Sequence, residues 1–171
     1  MAGRFSRAWI AAAAAALIAA AAPAGPEARI LAGESASAVL NEWCAAHGLP
    51  ALHADLAAQA AKAPSPAVRA ALAATPGEAV LYRRVRLACG TTAVSEADNW
   101  YLPDKLTPEM NRRLTTSDAP FGLVVRPLGF TRRTVATKAL RRGGLEIRAV
   151  LVTGAGTPFS YVVEDYAARV R

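Results

Sequence analysis

From residue 80 onward the chain alternates between short strand-like runs and tight turns, and this rhythm limits the available folds more than any other feature. Val80 to Leu87 has the β-branched and aromatic character that fits a pleated surface. Gly90-Thr91-Thr92 supplies a turn, and Val94 to Leu102 reads as a second strand, so the two form a hairpin. Phe130 to Lys138 and Leu145 to Thr153 read as further strands, and Gly154 to Thr157 is a tight connection to a last one, Phe159 to Ala168. Strands joined in sequence by short turns pair antiparallel. Between the two sets, Thr107-Pro108-Glu109-Met110 has a cap, a proline at the first helical position and an acid in the first turn, so it opens a short helix. Asp118 is placed to cap Ala119-Pro120-Phe121-Gly122 in the same way.

The upstream part is helical in character. Ser35 can cap a helix running to about His47, with Ala36, Val39, Leu40, Trp43 and Cys44 as an apolar stripe and Gly48 as its stop. Residues 49–63 are ambiguous: Leu52-His53-Ala54-Asp55-Leu56 alternates like a strand, whereas the Ala-rich continuation favours helix. Pro64-Ser65-Pro66 breaks the pattern, and Ser65 can cap a short helix from Pro66 to Ala74. Helices gathered near the N-terminus and in the middle, with strands in series, define an α+β class. The expected architecture is a single antiparallel β-sheet of about six strands with helices packed on it, spanning residues 35–171.

The first 24 residues read as a cleavable secretory signal. Arg4 and Arg7 precede an uncharged run from Ile10 to Ala22, and Ala22-Pro23-Ala24 matches the small-x-small pattern of a cleavage site. About 13 residues cannot cross a hydrocarbon core of roughly 30 Å as a helix, and no later segment is comparably apolar. Export, with the periplasm as destination and no stable membrane span after cleavage, is therefore expected, with a retained membrane anchor as the alternative, and residues 25–34 read as a disordered lead-in. Export also bears on Cys44 and Cys89, the two cysteines. In an oxidising compartment they are candidates for a disulfide, with two unrelated buried thiols as the alternative.

The chain holds 20 Lys and Arg against 13 Asp and Glu. Without the two leader arginines the remainder is moderately basic. Its basic residues are dispersed without an aromatic platform, so no nucleic-acid partner is expected. His47 and His53 are the only histidines, and no metal-ligand spacing, phosphate-cradling glycine loop or serine-nucleophile motif occurs. Neither metal nor cofactor is expected, which leaves a site built on arginine and carboxylate. Strand alternation puts Arg83, Val85 and Leu87 on one face and Arg84 and Arg86 on the other. An inward Arg83 requires an anionic partner, either a protein carboxylate or a ligand carboxylate. In the last strand Glu164 shares a face with Val162 and Tyr166, as a half-buried acid or a solvated strand-end acid.

Several of these segments resemble chorismate pyruvate-lyases. Leu81-Tyr82-Arg83-Arg84-Val85-Arg86-Leu87 is similar to the family's strand carrying the arginine for the ring carboxylate. Asp118-Ala119-Pro120-Phe121-Gly122 is similar to its Thr-Pro-Leu-Gly segment, which contacts ligand through the backbone. Phe130-Thr131-Arg132-Arg133 is similar to its Leu-Thr-Arg-Asp strand start. Gly156-Thr157-Pro158-Phe159 leading to Val163-Glu164 is similar to its Gly-Lys-Pro turn and terminal glutamate strand. Glu34-Ser35-Ala36-Ser37 is the possible match to its N-terminal backbone contact.

The resemblance implies a six-stranded antiparallel sheet enclosing a small pocket under helical flaps. It also implies cofactor-free elimination of pyruvate from chorismate to give 4-hydroxybenzoate, at the start of ubiquinone biosynthesis. Arg83 and Glu164 would be the catalytic pair, holding the ring carboxylate and the ring hydroxyl. Ala36 and Phe121 would add backbone contacts. Arg132 would either meet the enolpyruvyl carboxylate at the pocket mouth, or pair with a surface acid or cap a strand end. The partner would be a small aromatic or cyclohexadiene carboxylic acid, and the protein a monomer. The family's known enzymes are cytoplasmic, unlike a chain with an export leader. An exported, non-catalytic domain that binds an aromatic acid in the same pocket is the second reading.

Overall fold

A computed structural model describes residues 24–56 and 61–170, in which six strands form one fully antiparallel sheet. The strands are β1 (Leu52–Leu56), β2 (Leu81–Cys89), β3 (Thr92–Tyr101), β4 (Thr131–Ala139), β5 (Leu145–Val152) and β6 (Pro158–Tyr166), in the order β1-β2-β3-β6-β5-β4. The helices are α1 (Pro26–Leu31), α2 (Ala36–Ala46), α3 (Pro66–Ala71), α4 (Pro108–Thr116) and α5 (Phe121–Val124). The α+β fold with one antiparallel sheet is the one expected from the strand-turn rhythm. The leader, apart from Ala24, lies outside the described residues.

Each sheet face has its own cover. Val39, Leu40 and Cys44 of α2 pack on Leu52, Ala54, Val85, Leu87 and Ile147. Farther along the same face, Met110 and Leu114 of α4 join Phe121 and Val124 of α5 against Tyr101, Leu151 and Phe159. On the opposite face, Val68 of α3 and Leu72 cover Trp100 and Leu102. The rest of that face carries exposed ion pairs, Arg86 with Asp55 at 2.6 Å and Arg84 with Glu96 at 3.0 Å. Such pairs add little stability.

Of three local expectations, two are corrected and one is settled. Residues 25–34 are not a disordered lead-in, because α1 lies within them and Ile30 is fully buried in the main core. One anchoring side chain in a six-residue helix is too weak a periodic signal to read. The second expectation concerns residues 49–63, which the sequence leaves open between strand and helix; their alternating part, Leu52–Leu56, is strand β1, paired with β2. Leu52 sits opposite Cys89 and Asp55 opposite Arg86, and Leu52 and Ala54 are buried. Asp118 does not cap α5, whose N-cap is Pro120. Instead the Asp118 carbonyl accepts the Ala54 backbone N–H at 2.7 Å, tying the segment before α5 to the edge strand.

Cys44 on α2 and Cys89 at the end of β2 are joined by a disulfide with a Cα–Cα separation of 5.8 Å. It staples α2 to the sheet across 45 residues of chain. Closing a loop of this size removes entropy from the unfolded chain and typically stabilises by about 2–4 kcal/mol. The double variant Cys44→Ala/Cys89→Ala is expected to lose about that much in denaturant unfolding, and added reductant should lower the wild-type midpoint but not the variant's. Equal midpoints with and without reductant in the wild type would show that the bond contributes nothing.

Candidate ligand site

Sheet register sets the polar positions. Across β2, β3 and β6, Arg83 faces Asn99 and Asn99 faces Val162. One rung along, Val85 faces Ala97 and Ala97 faces Glu164. Cross-strand partners share a sheet face, so Arg83, Asn99 and Glu164 all point toward the helices. Arg84 and Arg86 point the other way.

Above this patch lies a small cavity with about 30 Å³ of free volume. Its roof is the start of α2, Ser35 to Ser37, together with Phe121 and Gly122 of α5. The two roof pieces touch closely: a Cβ on Gly122 would lie 2.9 Å from the hydroxyl oxygens of both Ser35 and Ser37. Only glycine allows that approach without a shift. The Gly33 turn between α1 and α2, at φ +104°, seats the roof on the backbone of Arg132.

Arg83, Glu164, Phe121, Arg132 and Ala36 all line this cavity. The two arginines are held differently. Arg83 is 7% exposed and donates from Nη2 to the Ala119 carbonyl at 3.1 Å, while its Nε and Nη1 are buried without a hydrogen-bond partner. No protein carboxylate meets it among the described residues. Burial holds its pKa below the ordinary value, with Tyr101 opposing. Arg132 instead forms a buried ion pair with Glu164, whose Oε2 also accepts the Tyr166 hydroxyl at 2.8 Å. Burial disfavours the Arg132 charge, yet Glu164 and Tyr166 together raise its pKa. Burial and then Glu164 push the Tyr166 hydroxyl well above its ordinary range, so it stays a donor.

Two consequences follow for the roles expected from the resemblance. Glu164 is engaged by Arg132 and Tyr166 rather than waiting for a ligand hydroxyl. Arg132 is neither at a surface acid nor free for a second ligand carboxylate. Sequence reasoning missed Asn99 and Ser160, which are buried and joined by a 2.7 Å bond from the Ser160 hydroxyl to Asn99 Oδ1. Alternation from Ala97 and from Val162 was the signal that could have found them. It also missed Ser37, one helical residue past the Ser35 cap.

The fold is the chorismate lyase-like α+β fold, and it superposes on a GntR-family transcriptional regulator from Enterococcus faecalis V583 with a TM-score of 0.51 at 13% identity, covering 69% of this chain and 95% of that one. The crystal structure of PhnF from Mycobacterium smegmatis superposes with a TM-score of 0.58 at 16% identity, covering 76% of this chain and 64% of that one. Its effector domain alone gives 0.57 at 14% identity, over 76% of this chain and 88% of that domain. The chain thus spans less than two thirds of the length of that PhnF chain. No family model matches the chain. It belongs to the same protein family as uncharacterized protein y4mC of Sinorhizobium fredii (strain NBRC 101917 / NGR234), to which it is 39% identical over 171 positions, 84% of this chain and 72% of that protein.

The expectation of a chorismate lyase acting in ubiquinone biosynthesis is therefore corrected. These structural neighbours are a GntR-family transcriptional regulator, PhnF and the PhnF effector domain. The ion pair gives the physical counterpart: a dicarboxylate needs two cations, and Glu164 neutralises one of the two present. Arg83 and Glu164 accordingly carry no catalytic assignment.

Removing one partner of a buried ion pair strands the other charge and costs about 3–5 kcal/mol, whereas replacing both with apolar residues is often neutral. Glu164→Leu is expected to destabilise by that amount in denaturant unfolding, and Arg132→Leu/Glu164→Leu to recover most of it. If the double variant is as unstable as the single one, the two side chains are not coupled in this way.

Proposed function

We propose that this domain is a cofactor-free receptor that holds a small monocarboxylate against Arg83 inside the cavity. The observation that carries the reading is the unpaired guanidinium, with two buried nitrogens lacking partners. Burying a charge without a partner is costly, and an arginine fork matches a carboxylate bidentately. The described charges that line the cavity are Arg83, Arg132 and Glu164, so the net charge is +1 and one carboxylate balances it.

The rest of the cavity suits such a ligand. The first turn of α2 directs unbonded backbone N–H groups and the positive end of its dipole toward the roof. The Ser35 hydroxyl there makes no cap bond and is buried without a partner. Val85, Phe121, Phe130 and Leu151 supply apolar walls. With about 30 Å³ of free volume, the cavity has room for a small head group, and a bulkier ligand body would need either another space beside Arg83 or parting of the α2 start and α5 at the Ser35–Gly122 contact. The PhnF effector domain supports the use of this fold as a receptor. The Cys44–Cys89 disulfide supports export into an oxidising compartment, as the leader implies.

Arg83→Met separates this reading from a purely structural role. It keeps the length of the side chain and removes the unpaired charge. An unsatisfied buried group costs about 1–3 kcal/mol and more when charged, so the ligand-free variant should unfold at higher denaturant than wild type. In calorimetric titration with benzoate and hexanoate, loss of a charge-assisted contact worth about 1.5–3 kcal/mol should weaken binding at least about tenfold. Unchanged affinity for both acids, or no binding to wild type, overturns the proposal.

A further inference from the structure

Arg83 borders two spaces, the closed cavity and an open cleft of about 340 Å³ at the β1–β2 end of the sheet. The cleft lies at the edge of the sheet where β1 ends, with Leu56, Tyr101, Leu114 and Thr115 on the α4 side and Tyr82 and Arg84 from the other face among its walls. We infer that the ligand is a single-headed amphiphile, its carboxylate on Arg83 and its hydrocarbon chain laid outward along this cleft. The inference rests on the receptor reading and adds the class of molecule bound.

Three observations support it. The cavity has room for a head group but not a long body, and the cleft that Arg83 also borders offers the larger space. Large exposed apolar side chains are few, and Leu56, at 49%, and Leu81, at 42%, both lie on the Arg83 face at this end of the sheet. A chain leaving Arg83 along the cleft would cover Leu56 and pass near Leu81, the residue two before Arg83 on β2. The other charged residue of the cleft, Arg84, is already paired with Glu96 at 3.0 Å. One unmatched cation beside apolar walls selects one anionic head and an uncharged tail.

The test is a titration of purified full chain with butanoate, hexanoate, octanoate and decanoate. Each methylene that leaves water in the cleft should tighten binding about twofold to fourfold. Thr115→Trp, a change at an exposed position of α4, should fill the cleft. It is expected to abolish the gain with length. Leu56→Gln is a milder second change and should reduce the gain per methylene. Arg83→Met should weaken all four acids by a common factor.

Affinity that does not rise with length, or a rise that survives both Thr115→Trp and Leu56→Gln, overturns the cleft assignment while the receptor reading stands. Failure of wild type to bind any acid of the series, benzoate included, overturns both.

Discussion

The β3–β6 pairing holds the molecule together. The sheet consists of two three-stranded meanders, β1-β2-β3 and β4-β5-β6, and seven residue pairs from Ser95–Tyr166 to Tyr101–Ser160 join them. Among the described residues no other strand pairing links the halves. Because side chains alternate with a period of two, a slip of one residue here would send Glu164 and Val162 to the opposite face. It would also separate Ser160 from Asn99. The buried Ser160–Asn99 bond and the Arg132–Glu164 pair work against such a slip, since either group left alone in the interior is costly. The polar residues of the site are thus also what specifies the sheet's register.

Within one cavity the same residue type meets two fates. Arg132 sits opposite Leu151, and Glu164 opposite Ile147, so the guanidinium must reach past the rung of Ala149 to find its acid. That small residue leaves the path clear. Arg83 has Asn99 as its cross-strand neighbour and only one carbonyl as acceptor. One cation therefore belongs to the fold, the other to whatever enters. A domain of this size has roughly 5–15 kcal/mol of stability in total, so an unsatisfied guanidinium takes a visible share of it. A bound anion would return that share as binding energy.

What could be read in the sequence depended on range. Alternation along Leu81–Leu87 is local, and it places Arg83 with the core and Arg84 outside without reference to any other strand. The α2 stripe and its Gly48 stop are local too: Gly48 adopts φ +65° just past the His47 cap. The partner of Arg132 lies 32 residues away across an intervening strand, and no local pattern encodes that diagonal. Strand β1 was obscured because alanine favours helix and carries too little apolar weight to mark a face. The order of weak motifs from residue 79 to 168 captured the fold. The chemistry attached to it did not carry over, because one fold hosts many functions and the charges of the individual site decide.

The disulfide and the unpaired arginine belong to one physical problem. A receptor whose roof opens needs contacts that can part, and the Ser35–Gly122 junction is of that kind: small side chains, no hydrogen bond from the Ser35 hydroxyl, no large apolar area. Opening there would endanger α2 if the helix were held by packing alone. Cys44 lies at the far end of α2 from Ser35, two turns along the helix, and is bonded to the sheet. The covalent tether therefore fixes the end of α2 away from the cavity and makes no bond at its Ser35 end. Stability lost to the uncompensated cation is offset at a point distant from the cavity roof.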